Sequence, residues 1–203
     1  DLHSFPTRRS SDLLSIEPLS NALRDEVTVV LSGGAMASDA QLSQEDGVWR
    51  VLGDPTEGAF LVAERKLGTE GSRQGRFTRI GEVPFTSERK LMSVVYADAA
   101  HDTTVMLSKG APDVLLERCT HVRVDGVAQE LTPSLREHFT AEITGMSSRA
   151  LRTLAVAYRD LSDDEVAAAR AGGEGDEDRF DQVEKRLTRS EEHTSELQSH
   201  YRI

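Results

Sequence analysis

Four short blocks in this 203-residue chain set a charged or aromatic side chain beside a turn or an element end. They are Gly53-Asp54-Pro55-Thr56-Glu57-Gly58, Pro84-Phe85-Thr86-Ser87-Glu88-Arg89-Lys90-Leu91-Met92-Ser93, Ser108-Lys109-Gly110-Ala111-Pro112-Asp113 and Leu151-Arg152-Thr153-Leu154-Ala155. An aromatic face can stack on a base, a lysine or arginine can hold phosphate, and a glycine lets backbone approach a ligand closely. Read one at a time, each residue also has a plain structural role. Phe85 would be a strand-end core residue, Lys90 and Lys109 solvated surface groups, and Arg152 half of a strand-surface ion pair. Glu57 stands three residues after Asp54, the spacing of a capping box.

Other chemistries find no foothold. The sequence has no Gly-x-x-x-x-Gly-Lys-Ser/Thr loop, no Gly-x-Gly-x-x-Gly fingerprint and no Gly-x-Ser-x-Gly elbow. Its six histidines are scattered, without His-Glu-x-x-His spacing, so no metal site is expected. Cys119 is the one cysteine, which rules out an intramolecular disulfide or a multi-cysteine zinc site and fits a reducing cytosolic setting. It follows an apolar helical pattern and reads as a buried or half-buried structural thiol. The net charge of -11 opposes nucleic acid as a partner. A nucleotide is still admissible, because a pocket can be locally basic. The acidic runs 163–165 and 174–178 read as solvated surface.

A hydrophobic fraction of 37% with 29% charged residues favours a soluble globular domain. No apolar run is long enough to cross a bilayer, and the N-terminal residues lack a signal-peptide core. The two ends, 1–12 and 189–203, resemble translated sequencing-adapter sequence. They are set aside as non-native scars, leaving one domain over 13–188.

The elements that must position the four blocks follow from local signals. A helix is expected over 19–36, weakened near its end by Gly33-Gly34. A strand over 48–52 leads to a helix from Pro55 to about Leu67, with Asp54 as N-cap and Gly68 as its stop. Strands are expected over 77–85, 91–96 and 104–107. The segment 108–111 reads as a tight link into a helix over 112–118. A hairpin over 121–131 turns at Asp125-Gly126. Thr132-Pro133 caps a long helix to about Ser148. A strand over 151–159 and a short helix over 163–171 complete the pattern. Hairpins and separated helices without strict strand–helix alternation predict an α+β domain, an antiparallel sheet flanked by helices.

In this order and spacing the four blocks resemble the nucleotide-binding domain of P-type ATPases, in the branch of calcium, sodium/potassium and related cation pumps. The resemblance covers 13–188, and 180–188 looks like the family's lead into its phosphorylation domain. It implies an open ATP cleft. Phe85 would stack on adenine, and Lys109, in a loop with Gly110 and Ala111, would lie deep beside the base. Glu57 would sit near the adenine amino group, while Lys90 and Arg152 would face the phosphates. The sequence departs from the family at Ser87, where calcium pumps often carry arginine, and at Ala150, where glycine is frequent.

The family's Asp-Lys-Thr-Gly-Thr phosphorylation motif, its Thr-Gly-Glu actuator motif and the magnesium-binding aspartates are absent from this chain. The resemblance therefore implies a domain that binds ATP, with Mg2+ accompanying it, but does not hydrolyse it alone. ATP would be delivered to an aspartate elsewhere in a membrane-embedded pump, of which this would be a cytoplasmic part. Its partners would be the phosphorylation and actuator domains. The competing readings are an interaction or regulatory module that kept the fold and lost the nucleotide site, and a free-standing phosphotransferase. The retained Phe85, Lys90, Lys109 and Arg152 speak against the first, and the lack of a recognised nucleophile against the second.

Overall fold

The computed structural model describes residues 21–73, 75–124, 126–171, 184 and 187–190. Asp1–Asp12 and 191–203 lie outside these, whereas Arg189 and Ser190 belong to the last strand. The chain order is α1 (Asn21–Met36), β1 (Gln41–Glu45), β2 (Val48–Leu52), α2 (Pro55–Leu67), a 3-10 turn (Glu70–Arg73), β3 (Phe77–Val83), β4 (Leu91–Asp98), β5 (Thr103–Gly110), α3 (Pro112–Arg118), β6 (Cys119–Val124), β7 (Val127–Glu130), α4 (Pro133–Ser148), β8 (Ala155–Leu161), α5 (Asp163–Ala171) and β9 (Leu187–Ser190).

Seven strands form one sheet in the order β3-β4-β5-β8-β9-β6-β7, and β1 with β2 makes a separate hairpin. Every pairing is antiparallel except β6 with β9. The fold is therefore the expected α+β class.

Strand alternation splits the central residues between two faces. Met92, Val94 and Leu107 pack with Met36 and Ala37 at the end of α1. Val95, Met106, Ala155 and Ala157 pack on the other face with Leu115 and Leu116 of α3, Phe139 of α4 and Val166 of α5. Lys109 shares the α1 face with Met92, its cross-strand partner; Ser93 and Ser108, also partnered, share the opposite face.

Several local signals act as expected. Asp54 Oδ1 accepts from the amides of Thr56 at 2.7 Å and Glu57 at 3.3 Å, and Gly68 closes α2 in the left-handed region at φ 72°. Thr132 caps α4 through the Leu135 amide at 3.3 Å, with Pro133 beginning the helix.

Others are overridden by packing. α1 continues through Gly33-Gly34 to Met36. A Cβ on Gly34 would fall 2.2 Å from the Phe60 ring, so the glycine lets α1 and α2 approach. The link expected at 108–111 is instead the end of β5, since Lys109 and Gly110 are paired with β4 on one side and β8 on the other. Cys119 opens β6 rather than extending a helix, and is buried. β8 begins at Ala155, not at Leu151, which leaves Arg152 on the loop before it. β1 and β9 were not foreseen.

Candidate functional site

Helix α2 meets β5 where the first and third blocks converge. Lys109, only 4% exposed, donates from Nζ to Glu57 Oε1 at 3.0 Å. The same ammonium stands 5.7 Å from the centre of the Phe60 ring, within cation–π reach. Glu57 Oε2 accepts from Ser38 Oγ and from the Asp39 amide, each at 3.1 Å. Glu57 thus does not close a capping box onto Asp54. Its side chain turns toward β5 and the loop after α1, where a buried cation and two further donors outweigh one backbone amide.

The electrostatics follow from burial and partners. Desolvation would raise the Glu57 pKa, but Lys109, the Asp39 amide and Ser38 together hold it below the ordinary carboxylate value. Burial lowers the Lys109 pKa against the opposing pull of Glu57, Asp39 and Asp54. The Lys109 side chain is the more deeply buried of the two, 5% exposed against 20% for Glu57, so burial prevails only on the lysine side. Asp54, despite some desolvation, is held low by its bonds to Thr56 and Glu57 and by the charge of Arg152. That last interaction brings the fourth block to the N-terminus of α2, although Arg152 itself is exposed.

The second block joins through its backbone. The Ala111 amide donates to the Lys90 carbonyl at 2.9 Å. A Cβ on Gly110 would lie 2.4 Å from that oxygen and 2.6 Å from Leu91 Cα, so only glycine fits. Lys90 adopts a left-handed backbone at φ 56°, an uncommon state for a side-chain-bearing residue, and is an exposed residue. Phe85 leads the same turn with 57% of its surface exposed. It is therefore not the core residue that a strand-end reading predicts. Ala150, before the fourth block, takes φ 56°, the conformation that glycine adopts without strain.

One end of β4 and β5 therefore carries Lys90, Lys109, Gly110 and Ala111, with Glu57 against Lys109, Arg152 near Asp54 and Phe85 exposed on the adjoining turn. The cations differ in state: Lys109 is buried and paired with a carboxylate, while Lys90 and Arg152 face solvent. Such an arrangement can hold an apolar, hydrogen-bonding group deep and an anion at the rim. Ser38, Asp39 and Phe60 complete the neighbourhood. No short motif marks them, because Ser38 and Asp39 reach Glu57 only after the loop following α1 folds back onto α2.

Comparison with known proteins shows the family. Residues 26–193 match the family described as P-type ATPase, cytoplasmic domain N. The chain is 38% identical over 163 residues to calcium-transporting ATPase 1 of Lactococcus lactis, covering 80% of this chain and 17% of that protein. It is 34% identical over 156 residues to a calcium-transporting ATPase of Bacillus subtilis, covering 76% and 16%. The probable cation-transporting ATPase F of Mycobacterium tuberculosis is 35% identical over 127 residues, covering 62% and 14%. The chain thus spans about a sixth of the length of the first two relatives. Among the described residues no helix is long and apolar enough to cross a membrane.

Proposed function

Because this chain belongs to the family of cytoplasmic N domains of P-type cation-transporting ATPases, we propose that it binds ATP and delivers it to an aspartate on a separate phosphorylation domain. The observation that carries this reading is the buried Lys109–Glu57 pair beside the close Gly110–Lys90 contact, with an exposed phenylalanine on the adjoining turn. In this reading the adenine stacks on Phe85 and packs along the stem of Lys109. Glu57 accepts from the adenine amino group, exchanging one of its present donors. Gly110 and Ala111 provide the close backbone floor. The phosphates, with their Mg2+, extend toward Lys90 and Arg152, whose exposed cations suit a polyanion.

The chain's contribution is positioning. Phosphoryl transfer depends mainly on alignment and charge stabilisation, and this domain supplies the first by holding the base and leaving the γ-phosphate free. Hydrolysis by the chain alone is not expected. In the assembled protein its partners are the phosphorylation and actuator domains, and the work driven is cation transport. The names of the relatives favour calcium as the cation.

An NMR titration of the full chain with ATP tests this. Saturable shifts should cluster at Phe85, Lys90, Lys109 and Arg152. Phe85→Ala should weaken binding about 5- to 150-fold, the equivalent of one stacked base. The same substitution should alter folding stability by less than about 0.5 kcal/mol, because the ring is exposed. If millimolar ATP leaves those resonances unmoved in a folded sample, the ATP-site reading fails and a module that has lost its nucleotide takes its place.

A further inference from the structure

On the face of the sheet opposite Lys109 lies a carboxylate that ATP binding as described does not use. Glu184 is 0% exposed. It pairs with Arg89, accepts from Ser93 Oγ at 2.6 Å and accepts from Arg118 Nη1 at 3.2 Å. The Ser93 and Ser108 hydroxyls are themselves 2.7 Å apart across the β4–β5 ladder. A charge buried this completely is tolerated only because two guanidiniums and a hydroxyl satisfy it, and removing a partner leaves the remaining charges stranded.

Two of the three partners of Glu184, Arg89 and Ser93, lie on the turn and the strand that lead from the site. Arg89 immediately precedes Lys90. Its Nη1 also donates to the Pro84 carbonyl at 3.1 Å, on the residue just before Phe85. One guanidinium therefore ties the start of the 84–90 turn to Glu184. Within that turn the Arg89 amide donates to Thr86 Oγ1 at 3.2 Å and the Lys90 amide to the Thr86 carbonyl at 2.8 Å. The left-handed backbone of Lys90 persists only where its surroundings over-determine it. Ser93 follows Met92, and Ser108 precedes Lys109. Alternation along the strands then fixes Met92 and Lys109 on the opposite face.

We infer that Glu184 is a positioning residue for nucleotide binding. Through Arg89 it fixes the turn that presents Phe85 and Lys90, and through Ser93 and Ser108 it fixes the strands that carry Met92 and Lys109. This rests on the ATP-site reading. A carboxylate of purely structural importance would change how much protein is folded, not how tightly the folded protein holds ATP.

The test compares ATP Kd and urea stability in the full chain for wild type, Glu184→Gln, Arg89→Lys and Glu26→Gln. Glu184→Gln keeps the shape of the side chain and removes its charge. Arg89→Lys keeps the charge but cannot bridge Glu184 and the Pro84 carbonyl; it decides the matter if the first variant does not fold. Both should raise Kd about fivefold or more and shift the Phe85 ring and Lys90 amide resonances in the free protein. Glu26→Gln breaks another buried carboxylate–guanidinium pair, with Arg123 at 3.0 Å. It should lower stability and leave Kd unchanged. The inference is overturned if folded Glu184→Gln or Arg89→Lys binds ATP like wild type, or if Glu26→Gln weakens binding equally. Wild-type protein that does not bind ATP would instead sink the site reading itself.

Discussion

Replacing Gly110 with alanine should separate two strands at the centre of the site. An ideal Cβ there would meet the Lys90 carbonyl oxygen at 2.4 Å and both Leu91 Cα and Cβ at 2.6 Å. Ordinary van der Waals contact begins near 3.4 Å. Two of the three obstructing atoms are backbone, so no rotamer change relieves the overlap, and β4 and β5 must part locally by about 1 Å. Overpacking of this kind costs about 1–3 kcal/mol. The bond from the Ala111 amide to the Lys90 carbonyl, 2.9 Å in the native protein, would lengthen or break, at about 1 kcal/mol more. The expected loss is therefore about 2–4 kcal/mol. Urea unfolding measures it as a fall in midpoint at unchanged slope. ATP affinity should fall as well, since Lys90 and Lys109 flank the displaced contact. A stability within about 0.5 kcal/mol of wild type would refute the close approach and the role assigned to Gly110.

A second glycine should respond with the opposite sign. Gly145 lies inside α4, and a Cβ there would meet nothing within 4 Å; Gly145→Ala should stabilise the fold by about 0.5–1 kcal/mol, read by the same urea titration, and a loss of stability would contradict the open helix surface. Acid should act through Asp98. Its bonds from Arg76 and His101 and from the Ala100 amide hold its carboxyl well below the usual range. A depressed folded pKa gives stability that is complete above the unfolded value near ~4 and is lost as pH falls further. Stability measured from pH 6 to pH 2 should decline below about pH 4, and Asp98→Asn should flatten that decline while costing about 1–2 kcal/mol at neutral pH, a modest figure because Arg76 is partly exposed. An unchanged acid profile in the variant would remove Asp98 from the account.

The parts of this protein legible in the sequence are those decided within a few residues. Asp54-Pro55 and Thr132-Pro133 each combine a side-chain acceptor with a residue already in helical geometry, so the starts of α2 and α4 are fixed locally. Gly68 supplies a left-handed stop for α2, and Gly126 at φ 82° turns the β6–β7 hairpin. The four blocks are legible for a related reason. Each pairs a functional side chain with a turn or element end, and their order carries the family resemblance that the match over residues 26–193 bears out.

What lay beyond the sequence depends on partners far away along the chain. Gly33-Gly34 signals a weak helix end by propensity, yet α1 continues because the Phe60 ring needs the space that a side chain would fill. Glu57 has capping-box spacing, but a buried ammonium 52 residues away competes for its carboxylate and wins it. Lys109 alone would pass for a surface lysine, and only the pairing of β5 between β4 and β8 drives it inward. β9 enters between β8 and β6 without a local signal of its own, and Glu184, just before it, reaches Ser93 across 91 residues. Caps and turns are short-range interactions, so the sequence by itself determined where most elements start and stop and which residues form the four blocks. Burial, charge pairing and strand order arise only when distant segments share one low-dielectric interior, and the tertiary structure alone decided which of those residues are paired and which face solvent.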